Sequence, residues 1–111
     1  MSLLVTVRIP HPLEEVERIE RSYPELIQRV AEPAMKYMTS HRRVERDGEV
    51  MDIDEYATEE DYRRFFDEAG DAIRKYNDLV GGGVHDVLWN TVSEAPLERV
   101  PVDQAAAPDR P

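Results

Sequence analysis

The sequence contains no cysteine and only one tryptophan among its 111 residues. The absence of cysteine excludes disulfide bonds, thiolate nucleophiles and cysteine-ligated metal sites. No apolar run approaches the length of a membrane-spanning helix. The apolar run near the start is too short for a secretory signal and has no basic segment before it. We therefore expect a cytoplasmic protein.

Positive charge is also scarce. The chain carries 14 lysine and arginine residues against 24 aspartate and glutamate residues, which gives a formal net charge of −10. The only close basic group, formed by Arg42, Arg43 and Arg46, is flanked by acidic residues. An acidic chain repels the phosphates of nucleic acids and of anionic membrane surfaces. We expect neither a nucleic-acid partner nor a membrane partner.

The residues that are present have the pattern of a small α+β domain. Four segments have the β-branched or alternating composition of strands: residues 3–9, 37–46, 49–56 and 84–92. With the helical segments between them, the order is βαββαβ. This is the ferredoxin-like motif, a four-stranded antiparallel sheet with two helices on one face. Residues 1–93 are predicted to form this domain, and residues 94–111 are predicted to form a flexible C-terminal tail because they lack periodicity.

Proline residues set the predicted boundaries of the first helix. Pro24 should divide it into two pieces, because the ring removes a backbone hydrogen bond and clashes with the preceding turn. Ser22 is the predicted N-cap of the second piece, with Glu25 as its capping-box partner. This piece is predicted to end near Pro33. Thr58 is the predicted N-cap of the last helix, which three consecutive glycines terminate.

Apolar side chains occur on both faces of the predicted sheet. On the last strand, Val84 and Leu88 share one face, whereas Val87 and Trp89 share the other. The helices of this motif cover only one face of the sheet. A second copy of the chain is the simplest cover for the other face, which predicts a homodimer. The alternative is a monomer in which the extra apolar residues are scattered edge positions.

A two-residue turn at Asp47-Gly48 sets the predicted register of the central hairpin. The pairs on one face are His41 with Asp54, Arg43 with Asp52, and Thr39 with Tyr56. The opposite face carries three apolar residues, Val44, Met51 and Ile53. This more apolar face is predicted to pack against the helices, which leaves the charged pairs on the other face.

Three stretches carry a resemblance to a known family: LLVTVRIP (3–10), DIDEYATEEDYRRFFDEAGDAIRKY (52–76) and GVHDVLWNTV (83–92). They resemble the dimeric α+β barrel superfamily, in particular its antibiotic-biosynthesis-monooxygenase-like group. The resemblance implies two chains that pack their sheets into a shared barrel, with a small-molecule pocket between helices and sheet. It implies, as an activity, a monooxygenase that uses no cofactor and acts on phenolic or quinol-type molecules.

Some members of the superfamily degrade haem, but their residues do not carry over to this chain. Those members use an asparagine on the first strand together with a tryptophan and a histidine on the helices. Here the first strand offers Thr6 and Arg8, and the single tryptophan, Trp89, lies on the last strand. We therefore do not expect haem degradation.

His41 beside Asp54 is the candidate catalytic pair. A carboxylate favours the charged form of a neighbouring imidazole and orients its ring, which suits a general base that deprotonates a phenol or quinol. The residues predicted to contact a small aromatic substrate are Arg43, Tyr37, Tyr56, Trp89 and His85. The alternative interpretation is that the charged pairs only stabilise the hairpin and fix its register.

The predicted function is therefore that of a dimeric, cofactor-independent monooxygenase. The alternative is a non-catalytic dimer that binds a small molecule or another protein. A metal centre built from two histidines and Asp52 or Asp54 has no supporting ligand spacing in the sequence.

Overall fold

The computed structural model describes residues 2–95. Its strands are β1 (Leu3–Ile9), β2 (Met38–Arg46), β3 (Glu49–Tyr56) and β4 (His85–Asn90). Its helices are α1 (Leu13–Ser22), α2 (Pro24–Tyr37) and α3 (Glu59–Leu79). Most of the predicted C-terminal tail, residues 96–111, lies outside the described residues. No helix among residues 2–95 is long and apolar enough to cross a membrane.

The four strands form one sheet in the order β2-β3-β1-β4, and each strand is antiparallel to its neighbours. The helices lie on one face, where residues of β1 and β3 pack with residues of all three helices in the core. This is the predicted ferredoxin-like arrangement. The predicted division of the first helix is also present, as α1 and α2.

The join between α1 and α2 differs in detail from the prediction. Ser22 does not cap α2, because its hydroxyl donates a hydrogen bond to the Arg18 carbonyl at 2.8 Å within α1. Tyr23 occupies the N-cap position, and Pro24 lies in the first turn of the helix. Proline is tolerated there because a backbone N–H in the first turn has no partner within the helix. The predicted capping box between Ser22 and Glu25 is therefore wrong.

Helix α2 also continues past Pro33, and the prediction that it ends there is wrong. Pro33 removes one backbone hydrogen bond of the helix. It nevertheless lies within the helix, and its side chain is buried. The next turn places Ala34 and Tyr37 against the core cluster around Phe65. Packing of this turn offsets the lost hydrogen bond, so the chain stays helical up to Tyr37 and β2 begins at Met38.

The hairpin has the predicted register over most of its length. His41 pairs with Asp54, and the register continues to Arg46 opposite Glu49. Gly48 closes the turn at a φ of 76°, a left-handed conformation that glycine adopts without strain. The register shifts between Met38 and Ser40, so that Met38 lies opposite Tyr56. The predicted pair of Thr39 with Tyr56 is therefore wrong, because an irregularity at Thr39 ends the regular pairing.

The face of β3 that packs against the helices is the opposite of the predicted one. Val50 and Tyr56 are almost fully buried in the helix-facing core, and Asp52 and Asp54 share their face. Val44, Met51 and Ile53, which were predicted to meet the helices, lie on the open face instead. The pairing with β1 determines this orientation. Val5 lies opposite Asp54, so the two side chains share a face of the sheet, and Val5 is buried on the side that faces the helices.

Thr58 caps α3 as predicted, since its hydroxyl accepts a hydrogen bond from the Asp61 backbone N–H at 3.1 Å. We expect Thr58→Ala to lower the free energy of unfolding by about 1 kcal/mol, because an N-terminal N–H loses its partner. Ser22→Ala is the matched control and should change it by less than about 0.5 kcal/mol. Urea denaturation of both variants measures this, and equal losses would contradict the assignment of the caps.

Candidate functional site

A cavity of about 480 Å³ lies between the helix-facing side of the sheet and the helices. It adjoins both clusters of the core, one centred on Tyr56 and Phe65 and the other on Ile9 and Val16. Helices α2 and α3 supply apolar walls, with Ile27, Val30, Ala31, Ala34, Phe65, Phe66 and Ile73. The strands supply most of the polar groups. The cavity therefore combines an apolar body with a polar floor, as small-molecule sites commonly do.

The predicted pair of His41 and Asp54 lies on the cavity wall. The His41 Nδ1 atom is 2.6 Å from the Asp54 Oδ1 atom. Asp54 is only 7% exposed, whereas the side chain of His41 is 52% exposed at the edge of the cavity. Burial raises the pKa of Asp54, although the hydrogen bond with His41 acts in the opposite direction. This geometry allows the carboxyl group to orient the imidazole and to exchange a proton with it.

Arg43 joins α1 to the sheet beside this pair. Its guanidinium donates to both oxygens of Asp52, at 2.7 and 3.1 Å, and to both oxygens of Glu20, at 2.9 Å each. The Tyr76 hydroxyl also donates to Glu20, at 2.8 Å. Burial of Glu20 opposes ionisation, but the hydrogen bonds from Arg43 and Tyr76 prevail and lower its pKa. Arg43 thus carries a permanent charge that two carboxylates already compensate.

Asp86, Tyr56 and Tyr62 supply further polar groups to the cavity. Asp86 is partly buried on β4, and burial raises its pKa. Burial also raises the pKa of Tyr56, and the charge of Asp54 adds to that effect. The rings of Tyr56 and Tyr62 meet edge to face, with their centroids 5.2 Å apart. This part of the cavity therefore combines a carboxyl group with phenolic hydroxyls and aromatic faces.

The structure brings together some of the predicted site residues and separates the others. His41, Asp54, Arg43 and Tyr56 all line the cavity. Three others do not line it: Tyr37, Trp89 and His85. The Tyr37 hydroxyl bonds to Glu68 on α3, and the Trp89 Nε1–H bonds to Thr6 on the open face. His85 lies on that same open face, opposite Arg8.

Sequence reasoning missed two carboxyl groups of the cavity, Glu20 and Asp86. Both carried a signal in the sequence. Glu20 lies four residues after Val16, on the apolar stripe of α1 where a charged residue interrupts the pattern. Asp86 alternates with Val84 and Leu88 on the face of β4 that is turned towards the helices. A charged residue at a position that periodicity marks as buried is informative, because such burial requires compensation or a function.

Within residues 2–95, no group of three or more His, Cys, Asp or Glu side chains is placed to hold a metal ion.

Solved structures similar to this one were found at low sequence identity. A dimeric ferredoxin-like protein from an uncultured marine organism has 16% identity and a TM-score of 0.62, covering 87% of this chain and 93% of that one. SnoaB, a cofactor-independent oxygenase from Streptomyces nogalater, has 12% identity and a TM-score of 0.59, covering 86% and 98%. An antibiotic biosynthesis monooxygenase has 14% identity and a TM-score of 0.58, covering 82% and 99%.

The fold is that of the antibiotic-biosynthesis-monooxygenase-like proteins. The resemblance predicted from the sequence is thereby confirmed at the level of fold. Identities of this size carry no activity or substrate from one protein to another. No protein-family model matches the chain, and no curated protein does.

Asp86 provides a test of the electrostatics of the cavity. Because its pKa is raised in the folded state, the folded protein holds this proton more tightly than the unfolded chain does. Stability should therefore fall as pH rises through the range above the ordinary aspartate pKa. We expect Asp86→Asn to gain about 1 kcal/mol in the free energy of unfolding at pH 7. The gain should shrink towards pH 4.

Urea denaturation between pH 4 and pH 8 measures this dependence. Asp67→Asn is the matched control, since it removes the same formal charge from an exposed position on α3. The control should stay within about 0.5 kcal/mol of the parent protein at every pH. Destabilisation by Asp86→Asn at pH 7 would contradict the prediction and would indicate that the Asp86 carboxylate stabilises the fold.

Proposed function

We propose that this protein is an enzyme of the cofactor-independent monooxygenase type, which oxidises a phenolic or quinol-type molecule in the cavity between sheet and helices. The observation that carries the proposal is the His41–Asp54 pair on the wall of a largely apolar cavity. A cavity of about 480 Å³ has the size of a small-molecule site. The likeness of fold to a cofactor-independent oxygenase supports the same assignment.

The proposed reaction takes place between the His41 imidazole and the phenol ring of the substrate. When His41 donates its Nδ1–H to Asp54, its Nε2 atom keeps a lone pair that can accept the proton of a bound phenol. The resulting phenolate is electron-rich enough to reduce molecular oxygen directly. One oxygen atom enters the ring and the other leaves as water, so a phenol becomes a quinone and the substrate supplies all the electrons.

A second candidate is ligand binding without turnover. The exposure of the His41 ring, at 52% of its side chain, favours this reading, because a base that water reaches freely is poorly shielded for oxygen chemistry. Under this alternative the Arg43 pairs with Glu20 and Asp52 would serve only to hold α1 on the sheet. Replacement of His41 distinguishes the two candidates.

We further propose that two copies of the chain pack through the open face of the sheet. This face carries apolar side chains, among them Leu4, Val44, Met51, Ile53, Val87 and Trp89. Trp89 is 54% exposed and Val44 is 41% exposed in a single chain. Large apolar side chains grouped on one face are typical of an interface between protein chains. A structural neighbour that is itself a dimeric ferredoxin-like protein supports the assignment.

The enzymatic assignment predicts the effect of removing the base. Oxygen uptake with a quinol should fall at least a hundredfold in His41→Ala, since a positioned general base contributes about 10² to 10⁴ in rate. Arg63→Ala is the control, because it removes an exposed charged side chain of α3 that neither lines the cavity nor lies on the sheet. Oxygen uptake that survives in His41→Ala would contradict the role of His41, and binding without any uptake would favour the second candidate.

The dimer assignment predicts the effect of a charge on the open face. Trp89→Asp should turn the dimer into a monomer, because a carboxylate would have to be buried in an apolar interface. Tyr23→Asp, at an exposed aromatic residue between α1 and α2, should remain a dimer. Sedimentation equilibrium of the three proteins measures their masses. A monomeric parent protein would contradict the proposed interface.

A further inference from the structure

Carboxyl groups outnumber cationic groups around the cavity. Four carboxyl groups line it, those of Glu20, Asp52, Asp54 and Asp86. Opposite them are the Arg43 guanidinium and the His41 imidazole. All the hydrogen bonds of Arg43 described above go to Glu20 and Asp52, so this cation offers little to an anionic ligand. The charge balance of the cavity is therefore negative, which favours a cationic ligand.

Asp86 differs from the other three carboxyl groups. Asp54 bonds to His41, whereas Asp52 and Glu20 both bond to Arg43. Asp86 makes no hydrogen bond or ion pair with any side chain among residues 2–95. It is nevertheless partly buried and lines the cavity. A partly buried carboxylate without a partner lowers stability, and such groups are frequent at sites that bind a ligand.

The Tyr56 hydroxyl gives an independent observation in the same cavity. Tyr56 is 1% exposed, and its hydroxyl makes no hydrogen bond with another residue of the described chain. Every fully enclosed side-chain polar atom in residues 2–95 has a partner. The small exposed part of Tyr56 must therefore include its hydroxyl, and the cavity is the space that Tyr56 lines. This hydroxyl is available to a molecule in the cavity.

Aromatic rings surround this polar group. Tyr62 meets Tyr56 with ring centroids 5.2 Å apart and meets Phe66 with centroids 5.0 Å apart. Phe65 lies 5.8 Å from Tyr56 by the same measure. The faces of such rings, combined with a carboxylate, form the environment that binds organic ammonium groups. Asp54 and Asp86 line the same cavity as these rings.

We propose that the cavity binds a small aromatic molecule that carries a protonated amino group, with the ammonium held by the Asp86 carboxylate and the Tyr56 hydroxyl as a second polar contact to the ligand. An ammonium group donates up to three hydrogen bonds, so it can bond to both oxygens of the Asp86 carboxylate. The inference deepens the proposed function, on which it rests for the aromatic character of the ligand and for the use of this cavity. It does not require that the ligand be oxidised.

Three probes that share one phenol ring test the inference. Tyramine carries a cationic tail, tyrosol a neutral tail of similar size, and 4-hydroxyphenylacetate an anionic tail. Isothermal titration calorimetry at pH 7 should give tyramine at least about tenfold tighter binding than tyrosol, because hydrogen bonds to charged groups are the stronger ones. The anionic probe should bind most weakly, since it meets carboxylates.

Variants of Asp86 and Tyr56 test the two proposed contacts. Asp86→Asn should weaken tyramine binding at least about tenfold and leave tyrosol binding within about twofold. Asp86→Ser should do the same, which guards against an effect peculiar to the amide. Tyr56→Phe should weaken tyramine and tyrosol binding alike, on the order of threefold, because its hydroxyl is open to either probe. Asp67→Asn removes the same formal charge from an exposed position of α3 and should leave all three probes unchanged.

The outcomes separate this inference from the proposed function. Equal binding of tyramine and tyrosol, or unchanged tyramine binding in both Asp86 variants, would overturn the ammonium site and leave the oxidation of a phenol intact. An equal loss in Asp67→Asn would also overturn it, because it would show a general effect of net charge. Failure of all three probes to bind at millimolar concentration would overturn the ammonium site and the phenol site together.

Discussion

The orientation of β3 is the constraint on which the rest of the site depends. Alternate residues of a strand share a face, so burial of Val50 and Tyr56 beneath the helices also turns Asp52 and Asp54 towards them. Burying each large apolar side chain stabilises the fold by about 2 kcal/mol. A buried carboxylate that is unpaired costs more, on the order of several kcal/mol. Strand β2 places His41 beside Asp54 and Arg43 beside Asp52, and these partners offset the cost of burying the carboxylates.

The carboxyl groups that line the cavity differ in whether they have a partner. Asp54 is matched by His41, and Asp52 shares Arg43 with Glu20 of α1, so these carboxyl groups help to fix the first helix and the hairpin. Asp86 has no such match, and its pKa is raised by burial. The carboxyl groups of one cavity therefore have different roles. The Arg43 pairs stabilise the fold, and the His41–Asp54 pair is the proposed base, whereas Asp86 and the Tyr56 hydroxyl are the proposed contacts of the ligand.

Local chemistry made much of the fold predictable. The turn at Asp47-Gly48 and the alternation around it predicted the hairpin register from His41 to Arg46, and Thr58 was correctly predicted as a cap. The errors occurred where packing outweighed a local signal. Pro33 did not end α2, because the turn that follows it packs on the core. Of the candidate site, the pairing of His41 with Asp54 was predictable, but its position beneath the helices was not.

The sequence by itself determined the order of the elements, the hairpin register and the identity of the charged pairs, because these follow from turns, caps and alternation within short segments. The tertiary structure alone decided which face of β3 the helices cover. Both faces carry apolar residues, and the pairing with β1 determines which of them is buried. It alone brought Glu20 to Arg43 and placed Asp86 in the same cavity as Tyr56, although these residues are far apart in the chain. Distant contacts of this kind depend on the whole fold, which no local pattern encodes.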